Sequence, residues 1–221
     1  MRTNSTHFCL FCFFTLSLLS CTTDAYDKGE GEYSNLRAEL ADLTINADKQ
    51  CTAALTDEGE QLTMERSFTV NWIQRPDTTY RAYIYYTPLD DKQVRIVSIG
   101  QVLVLRPRKE NEPMTDPVGV ESMWLSTSRR YLNASLLLKV GHDDEAKDVH
   151  HVLGATLDTL MANPDGTATL HLSLYHNQGG VPEYYTQRTY VSIPTEQIEA
   201  DSIHLRINTY QGWTERTLSL K

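Results

Sequence analysis

The sequence predicts an all-β protein, with an N-terminal five-stranded OB-like barrel followed by a C-terminal antiparallel β-sandwich of about seven strands. Apolar residues alternate with polar ones through most of the chain, which is the pattern of half-buried strands. Turns rich in Gly, Asn and Asp separate these segments. A charged stretch with three prolines, residues 106–117, divides the strands into two groups.

Residues 1–20 are predicted to be a lipoprotein signal peptide. The apolar run Phe8–Ser20 is about 13 residues long, which suits a secretory signal and falls short of the roughly 20 that a permanent membrane helix needs. It ends in a lipobox, with Leu18 three positions before Cys21, Ser20 directly before it, and a thiol to accept the lipid. We therefore expect a lipid such as palmitate on Cys21. The alternative is an ordinary cleaved signal in which Cys21 is incidental.

Cysteine content and charge narrow the possible partners. Cys9 and Cys12 lie in the segment to be discarded, so Cys51 would be the one free thiol of the mature chain, filling space in a strand.

Loss of Arg2 with the signal peptide takes the net charge of the chain from −9 to −10. An acidic protein gains nothing from counterion release on a phosphate backbone, so nucleic acid is not an expected partner.

The first half of the mature chain is predicted to be a tether and a barrel. Residues 21–41 are polar and acidic and predict a flexible tether. Residues 42–105 predict the barrel, in which Gly100 would bend the last strand. The five predicted strands are Leu43–Ala47, Cys51–Thr56, Gln61–Glu65, Tyr80–Thr87 and Gln93–Leu105.

The second half is predicted to be a linker at 106–117 and a sandwich domain at 118–221. Glu196–Ala200 is expected to form a helical turn between two strands. The seven predicted strands are Val118–Ser126, Tyr131–Val140, Asp148–Asp158, Thr167–His176, Gln187–Ile193, Ser202–Tyr210 and Trp213–Leu220.

Several short motifs in this order resemble the NigD-like lipoproteins of Gram-negative anaerobes. They are the acidic turn Thr56–Glu60, Met123-Trp124, Tyr131-Leu132-Asn133, His151–Leu157, Leu172–Asn177 and Tyr190-Val191-Ser192-Ile193. The resemblance covers essentially the whole mature chain and implies an OB-type barrel joined to a β-sandwich. It also implies structural roles for His151 and His176, with each imidazole bonded to backbone. The founding member was proposed to be a bacteriocin-immunity protein, so an immunity-like role is an expectation for this chain.

No metal or cofactor is predicted. Neighbouring His150 and His151 would point to opposite faces of a strand, and the chain has no HExxH or closely spaced Cys/His set. The acidic segment 142–145 could attract calcium, but it lacks the Asp-x-Asp-x-Asp-Gly loop, and a solvated turn is the favoured interpretation.

Two groups of aromatic residues are candidate contacts for a ligand or partner. Arg81, Tyr83 and Tyr85 share one face of a strand, where they could stack on a sugar or pack against the second domain, and packing is the favoured alternative. Tyr184 and Tyr185 follow the mobile Gly179-Gly180 pair in a loop that could present them to a partner.

The expected function is a non-catalytic cell-envelope lipoprotein that binds a protein or glycan, or protects against a toxin. The chain has no G-x-S-x-G or S-x-x-K motif and no acid pair assignable to a cleft, so an enzyme ranks last. The alternative is a structural or accessory subunit that docks on other outer-membrane proteins. The expected location is the outer membrane, on either its periplasmic face or its cell-surface face.

Overall fold

The computed structural model describes residues 34–89, 92–142 and 149–221. Cys21, the signal peptide, most of the predicted tether and residues 143–148 lie outside this range. Residues 35–221 form one compact unit. Its described strands are β1 (Arg37–Ile45), β2 (Cys51–Thr56), β3 (Gln61–Phe68), β4 (Thr78–Pro88), β5 (Gln93–Gln101), β6 (Leu103–Val104), β7 (Pro107–Arg108), β8 (Gly119–Leu125), β9 (Tyr131–Val140), β10 (Val152–Ala162), β11 (Ala168–Asn177), β12 (Tyr185–Pro194), β13 (Ser202–Thr209) and β14 (Gly212–Ser219).

The first five strands close into a barrel in the order β1-β2-β3-β5-β4, as the alternating pattern predicts. The start of β5 pairs in parallel with β3, at Thr63 opposite Gln93, and the rest of β5 pairs antiparallel with β4. One strand thus joins both edges of the sheet and closes it. The inward-facing side chains that are fully buried include Ala41, Leu43, Cys51, Ala54, Ala82, Ile84 and Tyr86.

Cys51 is the buried, free thiol that the sequence predicts. Burial raises its pKa to about 12, although a hydrogen bond with the Ala53 backbone acts in the opposite direction. A thiol with so high a pKa is a poor nucleophile at neutral pH, because the thiolate is the reactive form. Its role is to fill space in the barrel core.

The remaining strands form the predicted sandwich, with a five-stranded sheet in the order β14-β13-β11-β10-β7 and a four-stranded sheet in the order β6-β12-β9-β8. Alternate residues of both sheets meet between them. The most deeply buried of these include Leu132, Leu136, Leu172, Ile203, Leu205 and Ile207, each at most 2% exposed.

The sandwich is not wholly antiparallel, which corrects one expectation. β11 pairs in parallel with β13, because β12 lies in the other sheet and the chain returns to the first sheet in its original direction. The short strands β6 and β7 also pair in parallel, with β12 and β10 respectively. The predicted strand Gln93–Leu105 is therefore two strands in different sheets, and part of the 106–117 stretch is itself strand.

Three smaller expectations were also wrong. Strand β1 begins at Arg37, inside the segment predicted to be tether, because its pairing with β4 extends to Arg37 opposite Tyr86. The irregularity in β5 lies at Val97, which is skipped between the Ser98 and Ile96 pairings, and not at Gly100. Residues 196–200 form turns and bends without a helix, with the Ile198 amide bonded to the Thr195 carbonyl at 3.0 Å.

Candidate functional site

Arg81 lies at the centre of a polar network between the barrel and the sandwich. Ala82, Ile84 and Tyr86 point into the barrel, so the alternation of β4 directs Arg81 to the outside. There it meets the outer face of the four-stranded sheet, and its side chain is only 1% exposed. Its Nε donates to Ser192 Oγ at 3.2 Å and its Nη2 to Asn133 Oδ1 at 3.3 Å.

Asp57 neutralises Arg81 from the barrel side. Arg81 Nη2 lies 2.6 Å and 2.7 Å from its two carboxylate oxygens. Asn133 Nδ2 also donates to Asp57, at 2.8 Å, while Ser192 Oγ donates to Asn133 Oδ1 at 2.7 Å. The two sandwich side chains therefore hold both members of the ion pair, and the buried charges are paired and hydrogen-bonded as burial demands.

A second ion pair completes the network. Asp42 accepts from Arg130 and, at 3.1 Å, from the Tyr131 hydroxyl. The Arg81 guanidinium lies 4.0 Å from the centre of the Tyr131 ring, within cation–π distance. Burial, followed by the Asp42 charge, raises the pKa of Tyr131 to about 12. Two cations and two carboxylates thus face one another with no excess charge.

Residues that carry the family resemblance converge on this network. Asp57 belongs to the acidic turn, Asn133 to the Tyr-Leu-Asn motif and Ser192 to the Tyr-Val-Ser-Ile motif. They are far apart in sequence, but all three contact one another or Arg81. The motifs therefore mark the contact between the two parts of the compact unit.

Arg81 and Tyr83 pack between the barrel and the sandwich. This is the alternative that the sequence favoured for the group Arg81, Tyr83 and Tyr85. The Tyr83 ring stacks on Tyr190 of β12, with ring centres 4.6 Å apart. Burial and the Tyr85 hydroxyl bond raise the pKa of Tyr83. Tyr85 packs edge-on against Tyr83 at 5.0 Å and remains 37% exposed. In this conformation Arg81 is inaccessible to a partner, whereas Tyr85 can still contact one.

The second aromatic group is exposed on a restrained loop. Tyr184 is 68% exposed and Tyr185 is 59% exposed. The Tyr184 amide donates to the Val140 carbonyl at 3.0 Å, and Gln178 Nε2 bonds the Val181 carbonyl and Glu183 at 3.1 Å and 2.9 Å. These bonds fix the loop up to Tyr184, and Tyr185 begins β12, where it pairs with Val140, so both rings are held in place and remain exposed.

Gly141 allows that loop to lie close to the end of β9. A Cβ at this position would come within 2.8 Å of the Tyr184 ring and 2.9 Å of the Pro182 carbonyl. Gly179 and Gly180 have φ values of +64° and +77°, which most L-residues avoid. The two glycines therefore allow the tight turn that precedes the tyrosines.

His151 and His176 are structural residues bonded to backbone, as the family resemblance implies. His151 Nε2 lies 3.0 Å from the Lys139 carbonyl and His176 Nδ1 lies 2.9 Å from the Asp116 carbonyl. His151 Nδ1 and His176 Nε2 are also 2.9 Å apart. Burial lowers the pKa of His176, as does the nearby His151, while the Asp116 carbonyl bond opposes this.

Metal ligands do not cluster in the part of the chain that the structure describes: no three His, Cys, Asp or Glu side chains come together there. Residues 143–145 of the acidic segment are outside that part. No helix among the described residues is long and apolar enough to cross a membrane.

Sequence reasoning missed Asp42, Arg130 and Asn133 as members of the network. One signal was available for Arg81, which is a charged residue inside the predicted strand Tyr80–Thr87, on the face opposite Ala82 and Ile84. Such a residue needs a partner on another element, and the sequence does not say which.

A family model for the NigD-like C-terminal beta sandwich domain matches residues 101–220. Among solved structures, a NigD-like immunity protein from Bacteroides caccae is similar at a TM-score of 0.63 and 25% identity, over 82% of this chain and 91% of that one. A candidate toxin-related protein from Parabacteroides distasonis has a TM-score of 0.58 and 19% identity, over 83% and 92% of the two chains. A candidate lipoprotein from Bacteroides fragilis has a TM-score of 0.57 and 13% identity, over 84% and 98%.

Among curated proteins, no relative matches this sequence. The two structures below 25% identity are similar in fold alone. The family match covers more than half of the chain and includes the strands that supply Asn133 and Ser192. The chain is therefore a member of the NigD-like family, with its barrel held to the family's sandwich domain by buried ion pairs.

Proposed function

We propose that this chain is a non-catalytic protein of the cell envelope, anchored to the outer membrane through lipidated Cys21, that protects the cell by binding a toxin or another envelope protein. The observation that carries the proposal is the pair of exposed rings, Tyr184 and Tyr185, where a hydrogen-bonded loop meets β12. The name of the Bacteroides caccae structure supports an immunity role, and the lipobox that ends at Cys21 supports a lipid anchor.

Exposed tyrosines on a restrained loop suit protein recognition. A tyrosine buries a large area on binding and loses few rotatable bonds, so it contributes affinity at low entropic cost. The buried network of Arg81 makes the barrel and the sandwich one body, which reduces the ordering that binding would require. Tyr85, which packs beside Tyr83 and is 37% exposed, is a further aromatic side chain that a partner could contact.

A pull-down from envelope extract tests this proposal. The extract is passed over the intact protein and over a Tyr184→Ala/Tyr185→Ala variant, with both proteins verified as folded by circular dichroism. We expect a protein captured by the intact chain to be lost from the double variant. Retention of every captured protein at full strength would show that the loop is not the contact surface.

A second exposed apolar pair favours the accessory-subunit alternative. Leu160 and Met161, near the end of β10, are 56% and 50% exposed. A Leu160→Ala/Met161→Ala variant is thus a matched comparison in the same pull-down. If it loses the captured protein and the tyrosine variant keeps it, docking through β10 is the better explanation.

Protection from bacteriocins is the direct test of the immunity role. A sensitive strain that expresses the intact chain is challenged with culture supernatants of bacteriocin-producing relatives. We expect survival to rise with the intact chain and to fall back with the tyrosine variant, provided that blotting shows equal amounts in the membrane. Equal survival with and without the intact chain would argue against immunity.

A further inference from the structure

A groove of about 420 Å³ crosses the outer face of the five-stranded sheet, on the side away from the sandwich core. It is shaped by four adjacent strands, β10, β11, β13 and β14, and by the segment that precedes β8. Its lining residues are Pro113, Thr115, Asp158, Thr159, His171, Ser173, Arg206 and Trp213. The volume is in the range of small-molecule sites, which are typically about 300–1,000 Å³.

A β-bulge brings two polar side chains into this groove. Leu157 pairs with Leu172 and Thr159 pairs with His171, so Asp158 is an extra residue in β10. Strict alternation would send Asp158 and Thr159 to opposite faces, whereas both line the groove. Bulges re-aim side chains in this way next to functional sites. Ser173 Oγ donates to Asp158 Oδ2 at 2.6 Å and fixes the carboxylate.

Trp213 forms the apolar wall. It is 48% exposed although it lies on a regular strand, and the Arg206 guanidinium packs 4.3 Å from the centre of its ring. Arg206 also lies 3.9 Å from Glu215. The guanidinium therefore holds the indole in place, and the rest of the ring surface remains available for stacking.

A buried hydroxyl without a hydrogen-bond partner in the described part of the chain, that of Thr156, lies on the same sheet face as the groove. Thr156 is 4% exposed, and its Oγ1 has no hydrogen-bond partner among the described residues. It pairs directly with Ser173 across the β10–β11 ladder, on the same sheet face as the groove. Thr156 does not line the groove itself, so its hydroxyl marks the polar character of this sheet face and is not a ligand contact.

We propose that this groove binds a saccharide unit of a neutral envelope glycan. A pyranose ring presents apolar C–H groups that stack on an indole and hydroxyls that both donate and accept hydrogen bonds. Trp213 supplies the stacking surface, Asp158 and His171 supply acceptors, and Thr159 supplies a hydroxyl that does both. The charge of Arg206 is offset by Glu215, and the Asp158 carboxylate would repel an anionic sugar. The site is separate from the tyrosine loop and does not depend on the protective function.

Binding to an array of neutral hexose and N-acetylhexosamine oligosaccharides, with uronic-acid oligosaccharides printed beside them, tests this site. The intact protein is compared with Trp213→Ala, Trp213→Phe and Asp158→Asn variants. Since Trp213 and Asp158 are exposed, these variants should fold, and their melting temperatures are measured to check this. We expect Trp213→Ala to weaken binding to neutral glycans about tenfold, the equivalent of roughly 1.4 kcal/mol. Trp213→Phe should keep most of the affinity and Asp158→Asn should reduce it.

The Tyr184→Ala/Tyr185→Ala variant is the control, and it should bind the array as the intact protein does. Equal binding by the intact protein and Trp213→Ala, selective binding of the acidic glycans, or no binding to any glycan would each overturn the proposal. Loss of glycan binding in the tyrosine variant alone would assign the contact to the loop instead of this groove.

Discussion

Arg81 illustrates what a buried charge requires of its surroundings. Its side chain is almost fully inaccessible, and it bonds Asp57 from the barrel and Asn133 and Ser192 from the sandwich. An ion pair removed from water gives little net stability, but removal of one partner leaves the other charge buried and unpaired. The network therefore makes the barrel and the sandwich depend on each other.

Replacement of Arg81 with Ala should lower the free energy of unfolding by about 3–5 kcal/mol, because Asp57 would remain buried without its cation. Chemical denaturation gives this value. Arg95→Ala is the matched control: Arg95 pairs with Glu65 at 2.8 Å, but its side chain is 50% exposed, so the loss should stay below about 1 kcal/mol. Similar losses for the two variants would contradict the role of burial.

His176 should make stability depend on pH. Its pKa in the folded protein lies below the ordinary value of 6.5, so the unfolded chain binds a proton more readily. The contribution of His176 to the free energy of unfolding is fully present above pH 6.5. It is lost as the pH falls from 6.5 toward the pKa of His176 in the folded protein, and the loss is at most about 1.4 kcal/mol per pH unit for one proton. Denaturation at pH values from 7 to 5 measures this slope. A His176→Gln variant should show a shallower fall, and an unchanged slope would place the titration elsewhere.

At the scale of elements, short distances between backbones decide where side chains are presented. β9 ends next to the loop that carries Tyr184, and the two approach closely only because residue 141 has no side chain. A bulge in β10 has a comparable effect on Asp158 and Thr159. In each case a single residue, Gly141 or Asp158, changes the position of several neighbouring side chains.

Gly141→Ala should displace the Tyr184 loop and lower the free energy of unfolding by about 1–3 kcal/mol, the usual cost of overpacking. Capture of a partner through Tyr184 and Tyr185 should weaken in parallel. Gly100→Ala is the control, since nothing lies within 4 Å of a Cβ built there and its φ is not positive. Denaturation and the pull-down measure the two effects, and equal behaviour of the two variants would contradict the close-approach argument.

At the scale of the whole molecule, the proposed anchor decides where the chain acts. Cys21→Ala should abolish incorporation of labelled palmitate and leave an uncleaved precursor, because the thiol is the lipid acceptor in a lipobox. Metabolic labelling followed by membrane fractionation measures both. Cys51→Ala is the control, since the Cys51 thiol is buried and inert, and it should keep the label. Undiminished label in Cys21→Ala would disprove lipidation at this residue.

Local alternation was sufficient to predict the five-stranded barrel and the seven longer strands of the sandwich, because the period of two reports which side of each strand is buried. It also placed Arg81 and Tyr83 opposite Ala82 and Ile84, as the structure has them. The period of a strand and its buried face are properties of a short segment, so the residues of that segment are enough to predict them.

Tertiary structure decided the rest, because pairing between distant segments leaves no local pattern. The parallel pairing of β11 with β13, the transfer of β6 and β7 into the sandwich sheets and the bulge at Asp158 all depend on which strands become neighbours. The same is true of the contact that joins Arg81 to Asp57, Asn133 and Ser192. The sequence by itself determined the strands and the face of each that is buried. The fold determined which outward-facing residues were buried by a neighbour and which, like Tyr184 and Trp213, stayed exposed.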